Sequence, residues 1–169
     1  MPDGDPPLRG RASSRRKRSR QPSGVTVWRG EVRVPLALSR VRALAELVLR
    51  RERAEGALIS IQFVSPRAIA RLHHRHLGVR GPTDIVTLEH AREAPGAPLV
   101  GEVLIAPDVA AGNAARFGVP VRDEIARLVV HGVLHAVGWD HPEDESRTSS
   151  GMWRRQETLL RGARQAGVI

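Results

Sequence analysis

The stretch that decides the fold reads His131-Gly132-Val133-Leu134-His135-Ala136-Val137-Gly138-Trp139-Asp140-His141. Its apolar positions continue a pattern that begins after Pro120, and the spacing predicts a helix over Val121–Val137. Asp123 and Glu124 stand near its start, where carboxylates favour a helix N-terminus. Residues four apart on a helix share a face, so His131 and His135 can aim two imidazoles at one point. Gly138 ends the helix, because glycine enters the left-handed conformation of such a terminus without strain. The reversal brings His141 back toward the other two. Three imidazoles, with a fourth position left for water, are a ligand set of catalytic zinc sites. The expectation is therefore a metal centre on His131, His135 and His141, with zinc the expected ion and other divalent ions compatible.

The spacing matches the metzincin motif His-Glu-x-x-His-x-x-Gly-x-x-His at every position but one. Those peptidases carry their glutamate base where this chain has Gly132. The ligand geometry is shared, but the base that peptide hydrolysis uses is missing. Met152 lies in a predicted helix, which points to core packing and away from the methionine turn of those enzymes.

Upstream, Val25–Trp28 and Glu31–Val34 read as a short strand or hairpin around Arg29-Gly30. Leu38, Val41, Leu44, Leu47 and Val48 recur at three and four, predicting an amphipathic helix over Leu36–Glu52. Strands are expected at Ala57–Val64, Asp84–Leu88 and Gly101–Ile105, with His90–Pro98 as a loop. Ser65 can cap a helix from Pro66 to about Leu77, and a short helix over Pro107–Phe117 closes at Gly118. A last helix, Glu145–Ala163, would turn Met152, Trp153, Leu159 and Leu160 to the core. The fold class expected from this order is α+β, a single small domain with a mixed sheet of about four strands and about five helices around a zincin-like metal site.

Composition narrows the function. The 169 residues allow one core plus a tail. No run approaches the ~18 apolar residues of a membrane span, and no apolar segment of a secretory signal follows the basic N-terminus. Cysteine is absent, so any metal rests on histidine and carboxylate, and a reducing cytoplasmic location fits. The formal charge is +9, and residues 1–23 hold +5 of it, through Arg9, Arg11, Arg15, Arg16, Lys17, Arg18 and Arg20. That run, with Pro, Ser and Gly, is expected to be a disordered basic tail preceding a domain over residues 24–169. It is either a polyanion-binding arm or simply a solvated segment. The aromatics are Trp28, Phe63, Phe117, Trp139 and Trp153, too few for a stacking platform. Any RNA should therefore be held mainly by arginine–phosphate contacts.

The motif His131-Gly-x-Leu-His135-x-x-Gly138-x-Asp140-His141 resembles the signature of the YbeY family of bacterial endoribonucleases. Pro82-Thr83-Asp84-Ile85-Val86-Thr87, Gly101-Glu102-Val103-Leu104-Ile105 and Met152-x-x-x-Gln156-Glu157 are similar to further segments of that family, so the likeness covers about Ile59 to Leu160. The resemblance implies a zinc-binding α+β fold and single-strand-specific cleavage of RNA in ribosomal RNA maturation, with ribosomal RNA or ribosomal subunits as partners. Two departures stand out. His76-Leu77-Gly78 replaces the family's Tyr-Arg-Gly, so Leu77 takes the place of an arginine, and Glu102 replaces an aspartate.

On this reading His131 is both ligand and catalytic residue. Asp140 either orients a ligand or water from behind, as metal-bound histidines commonly require, or serves as a turn or cap residue. Arg75 and Arg80 are candidate phosphate clamps, because a guanidinium binds phosphate through two bonds, or else are ordinary surface arginines. No residue stands out as general base. Two rival functions use the same ligands: a metallopeptidase-like hydrolase of small substrates, and a non-catalytic ribosome-assembly factor with structural zinc.

Overall fold

A computed structural model describes residues 24–90, 92–142 and 144–169. The expected tail, residues 1–23, lies outside them. Alternation in β2 (Leu58–Phe63) turns Ile59, Ile61 and Phe63 into the core and leaves Ser60 and Gln62 on the other face. Strand β1 (Gly24–Arg29) lies parallel to β2 along one edge, and β4 (Val100–Ile105) lies parallel along the other. Strand β3 (Ile85–His90) closes the sheet antiparallel to β4, giving the order β1-β2-β4-β3.

A parallel neighbour needs a crossover, and helix α1 (Leu38–Arg51) supplies it between β1 and β2. This corrects the hairpin reading. The Gly30 N–H donates to the Phe63 carbonyl (3.1 Å), so the chain continues along β2 instead of turning back. Glu31–Val34 is not a strand; Val32 and Val34 pack against the core from irregular chain. The edge strand β3 is also longer than expected. His90 pairs with Val100 and carries its Nε2 to Glu102 Oε1 (2.9 Å), within a segment read as loop.

Helix α2 (Pro66–Leu77) starts as expected, with Ser65 Oγ accepting from the Ala68 N–H. It covers the outer face through Ile69, which packs with Val86 and Leu104. Helices α3 (Pro107–Phe117), α4 (Val121–Ala136) and α5 (Gly151–Gln165) follow β4. The expected last helix is two pieces. Ser150, in extended conformation, accepts from the Trp153 N–H and restarts the chain as α5, while Glu145–Ser149 forms a separate 3-10 turn capped by Asp144.

Helix α4 sits on β4 at unusually close range. A Cβ on Gly132 would lie 2.4 Å from Val103 Cγ1, and one on Gly101 would lie 2.7 Å from the Ala136 Cβ. Four helical residues rise about 6 Å, close to the rise of about 6.6 Å over two strand residues. One helix turn therefore spans Val103 and Gly101 together. This lock fixes the rotation of α4, so the residues just before each contact, His131 and His135, are held in one orientation.

Candidate metal centre

The third histidine is placed by the end of α4. Gly138 has φ +96°, its N–H donates to the His135 carbonyl (2.8 Å), and the Trp139 N–H donates to the Leu134 carbonyl (3.0 Å). This pair of bonds is the glycine-terminated helix end anticipated from sequence. The loop beyond it is anchored. Trp139 Nε1 donates to Glu52 Oε2 (3.0 Å), and Arg155 Nε donates to Glu52 Oε1 (2.7 Å), tying the loop to the ends of α1 and α5. Asp140 Oδ1 accepts from the His141 N–H (2.8 Å). His141 returns to the first two rings, and one ring nitrogen from each of His131, His135 and His141 lies within 4.8 Å of the others, a group that could hold a metal ion.

Hydrogen bonding sets which nitrogens converge. Gln156, wholly buried, turns its amide nitrogen toward Glu157 Oε1 (3.4 Å), so its Oε1 must accept from His131 Nδ1 (3.0 Å). His141 Nδ1 donates to the Pro142 carbonyl (2.9 Å). In the neutral form of each of these rings the proton is therefore on Nδ1 and the lone pair on Nε2. The two Nε2 atoms stand 3.4 Å apart, and His135 Nε2 stands 3.2 Å from that of His141. Lone pairs aimed at each other repel unless a cation lies among them. With zinc–nitrogen bonds of about 2.05 Å, tetrahedral ligands sit roughly 3.3–3.4 Å apart. The donor set thus fits a divalent ion.

Electrostatics keeps the set ready. Burial, chiefly, and then the charge of His135 push the His131 pKa down to about 3; Arg147 and Arg127 act the same way, against the bond to Gln156. Burial and His141 also lower that of His135, opposed by Asp140 and by a hydrogen bond with the Trp139 backbone. Both rings are held in the neutral form that binds metal.

The other expected residues divide. Asp140 is exposed and bonds the backbone of its neighbour, so the turn reading describes its contact, while its charge still acts on His135. Arg75 and Arg80 are exposed on the last turn of α2 and in the loop after it. Among the described residues neither bonds to a partner, and neither lines the cleft bordered by Arg147, whose Nη2 is 3.4 Å from His131 Nε2. That cleft, about 600 Å³, is lined instead by Asp84, Asn113, Arg116, Phe117, Arg127 and Arg147, with others. Asp84 accepts from Asn113 Nδ2 (3.0 Å), and Glu124 holds Arg127 through both oxygens.

Sequence reasoning passed over Gln156 and Arg147. The first left a signal. It lies in register with Met152, Leu159, Leu160 and Ala163 on the buried stripe of α5, and a polar group there requires a partner. Arg147 left none, since a 3-10 turn has no period that distinguishes an inward arginine. Gly132 faces Val103 rather than the histidines, so the position that carries the metzincin base points into the sheet.

Comparison with known proteins agrees with this geometry. A protein of Thermobifida fusca described as "Endoribonuclease YbeY" is 37% identical over 142 residues, covering 79% of this chain and 90% of that protein. One of Micrococcus luteus with the same description is 39% identical over 115 residues, or 64% of this chain and 70% of that protein. The solution structure of a Thermotoga maritima protein superposes with a TM-score of 0.59 at 22% identity, covering 85% of this chain and 93% of that one, a likeness of fold. The family model described as "Endoribonuclease YbeY" matches residues 31–164, which include both the helix and the strand of the helix–sheet lock and all three histidines. The chain belongs to the YbeY endoribonuclease family.

Proposed function

We propose that the chain is a zinc-dependent endoribonuclease that cuts phosphodiesters in single-stranded RNA during ribosomal RNA maturation in the bacterial cytoplasm, with His131, His135 and His141 as metal ligands. The observation that carries this reading is the convergence of three histidine Nε2 atoms, with Arg147, which also lines an arginine-bordered cleft, 3.4 Å from one of them. When bound there, zinc supplies Lewis acidity to a phosphate oxygen or to the attacking water. Gln156 holds the His131 proton on Nδ1 and keeps Nε2 free to ligate. Asp140 fixes the backbone that carries His141 and adds negative charge beside His135. Arg75 and Arg80 are proposed to hold RNA away from the scissile bond, as exposed cations on the surface.

Residues 1–23 act in this reading as a basic arm and residues 24–169 as the hydrolase domain. Deleting the arm should weaken RNA affinity and flatten its dependence on salt, because each phosphate contact releases a counterion. An unchanged salt slope would remove the arm from the account. No described helix is long and apolar enough to cross a membrane.

The peptidase alternative needs a base beside the ion, and Gly132 lies against Val103. A structural zinc would need a fourth protein ligand, and among the described residues the cluster holds three. Incubating the chain with single-stranded RNA, duplex RNA and peptide, with and without chelator, tests the proposal. Cleavage of single-stranded RNA alone, lost with chelator and restored by zinc, is the expected result. Peptide cleavage, or RNA cleavage indifferent to chelator, would contradict it.

A further inference from the structure

Arg147 is on the 3-10 turn Glu145–Ser149 and reaches the metal centre from the side of the cleft. Its Nη2 stands 3.4 Å from His131 Nε2, the atom whose lone pair is proposed to hold the ion. Its Nε is buried and, among the described residues, has no hydrogen-bond partner. A buried guanidinium N–H left unbonded is unfavourable and calls for an acceptor. Among the described residues, the carboxylates that line the cleft do not meet this need. Glu124 is engaged by Arg127 through both oxygens, and Asp84 accepts from Asn113. Arg116, which lines the same cleft, places its guanidinium over the Phe117 ring, 5.8 Å from its centroid.

A lone pair given to a metal ion cannot also accept from Arg147. Occupation of the centre therefore releases Nη2 and leaves the Nε–Nη2 edge of the guanidinium free beside the ion. Planar guanidinium matches the oxygen spacing of a phosphate through paired N–H bonds. We propose that Arg147 binds the non-bridging oxygens of an RNA phosphodiester at the metal centre, as the substrate-binding cation of the cleft. This rests on the endoribonuclease reading for the identity of the substrate, but the phosphate site itself can be tested without turnover.

The test uses the full chain loaded with cobalt, whose visible spectrum reports ligands at the ion, in wild type, Arg147→Ala and Arg147→Lys. Each is titrated with inorganic phosphate, and each is then given a single-stranded RNA oligonucleotide. In Arg147→Ala, cobalt uptake should equal or exceed that of wild type, since a competitor for His131 Nε2 is gone. Phosphate affinity and RNA cleavage should each fall on the order of 10- to 100-fold, the range for a lost charge-assisted bond. Arg147→Lys should recover part of the phosphate affinity, as a point charge without the fork. Absence of a phosphate response in wild type, equal responses in wild type and Arg147→Ala, or loss of cobalt from Arg147→Ala would each overturn the proposal. A wild type that binds phosphate through Arg147 yet leaves RNA intact would uphold the phosphate site and contradict the endoribonuclease reading instead.

Discussion

The two halves of the histidine cluster are built by different physics. His131 and His135 belong to a helix pressed onto the sheet, where Gly132 against Val103 and Gly101 against Ala136 leave no freedom of rotation. His141 and Arg147 belong to a loop and a 3-10 turn held by polar contacts: Gly138 in the left-handed region, Trp139 on Glu52, and Asp140 on the His141 backbone. The helical half is preorganised by shape, and the loop half by hydrogen bonds near the surface. Damage to the first should reach fold and metal site together, whereas damage to the second should reach the metal site more than the fold.

The largest expected effect is the response of the helical half to acid in the metal-free chain. The folded-state pKa of His131, about 3, lies below the ordinary value of 6.5. The unfolded chain therefore takes up this proton first, and folding stability is complete above about pH 6.5 and declines as pH falls toward 3. Each unit of depression corresponds to about 1.4 kcal/mol. Denaturant midpoints of the chelator-treated chain between pH 7 and pH 4 should fall further in wild type than in His131→Gln. Parallel curves would show that burial of this imidazole is not what acid attacks.

Next in size is Gly132→Ala, which sets a methyl group 2.4 Å from Val103 Cγ1. Overpacking of this kind costs about 1–3 kcal/mol, and the lifted helix should lose metal affinity along with its unfolding midpoint. A stable variant with normal metal uptake would break the proposed lock. Gln156→Leu sharpens the comparison from the other side of the same ring. Loss of the acceptor for His131 Nδ1 should lower zinc affinity about 10- to 100-fold, measured by chelator competition. An unaltered affinity would mean that the tautomer is set by something else. The smallest effect belongs to the loop half. Gly138→Ala, at φ +96°, should cost about 1 kcal/mol of stability, and its zinc affinity should fall while α4 stays folded by circular dichroism.

The same division explains what sequence could reveal. Helical period, glycine at the turn and strand alternation are local, so α4, Gly138 and the alternating strands were legible, and with them the convergence of three histidines. Glu31–Val34 misled because alternation cannot tell an edge strand from irregular chain packed on a core; what decides is the distant bond from Gly30 to Phe63. The reason for Gly132 was equally non-local, since it resides in Val103 on another element. Arg75 and Arg80 are candidates as guanidinium groups near Leu77, which stands in place of the family arginine, while the cleft is lined by Arg116, Arg127 and Arg147 through tertiary packing.

The most direct test compares metal content and RNA cleavage in the wild-type chain and in His135→Ala. Wild type should hold about one divalent ion per chain and cut single-stranded RNA, and the variant should lose both together. Cleavage persisting in a metal-free His135→Ala, or a wild type that takes up no divalent ion, would contradict the account.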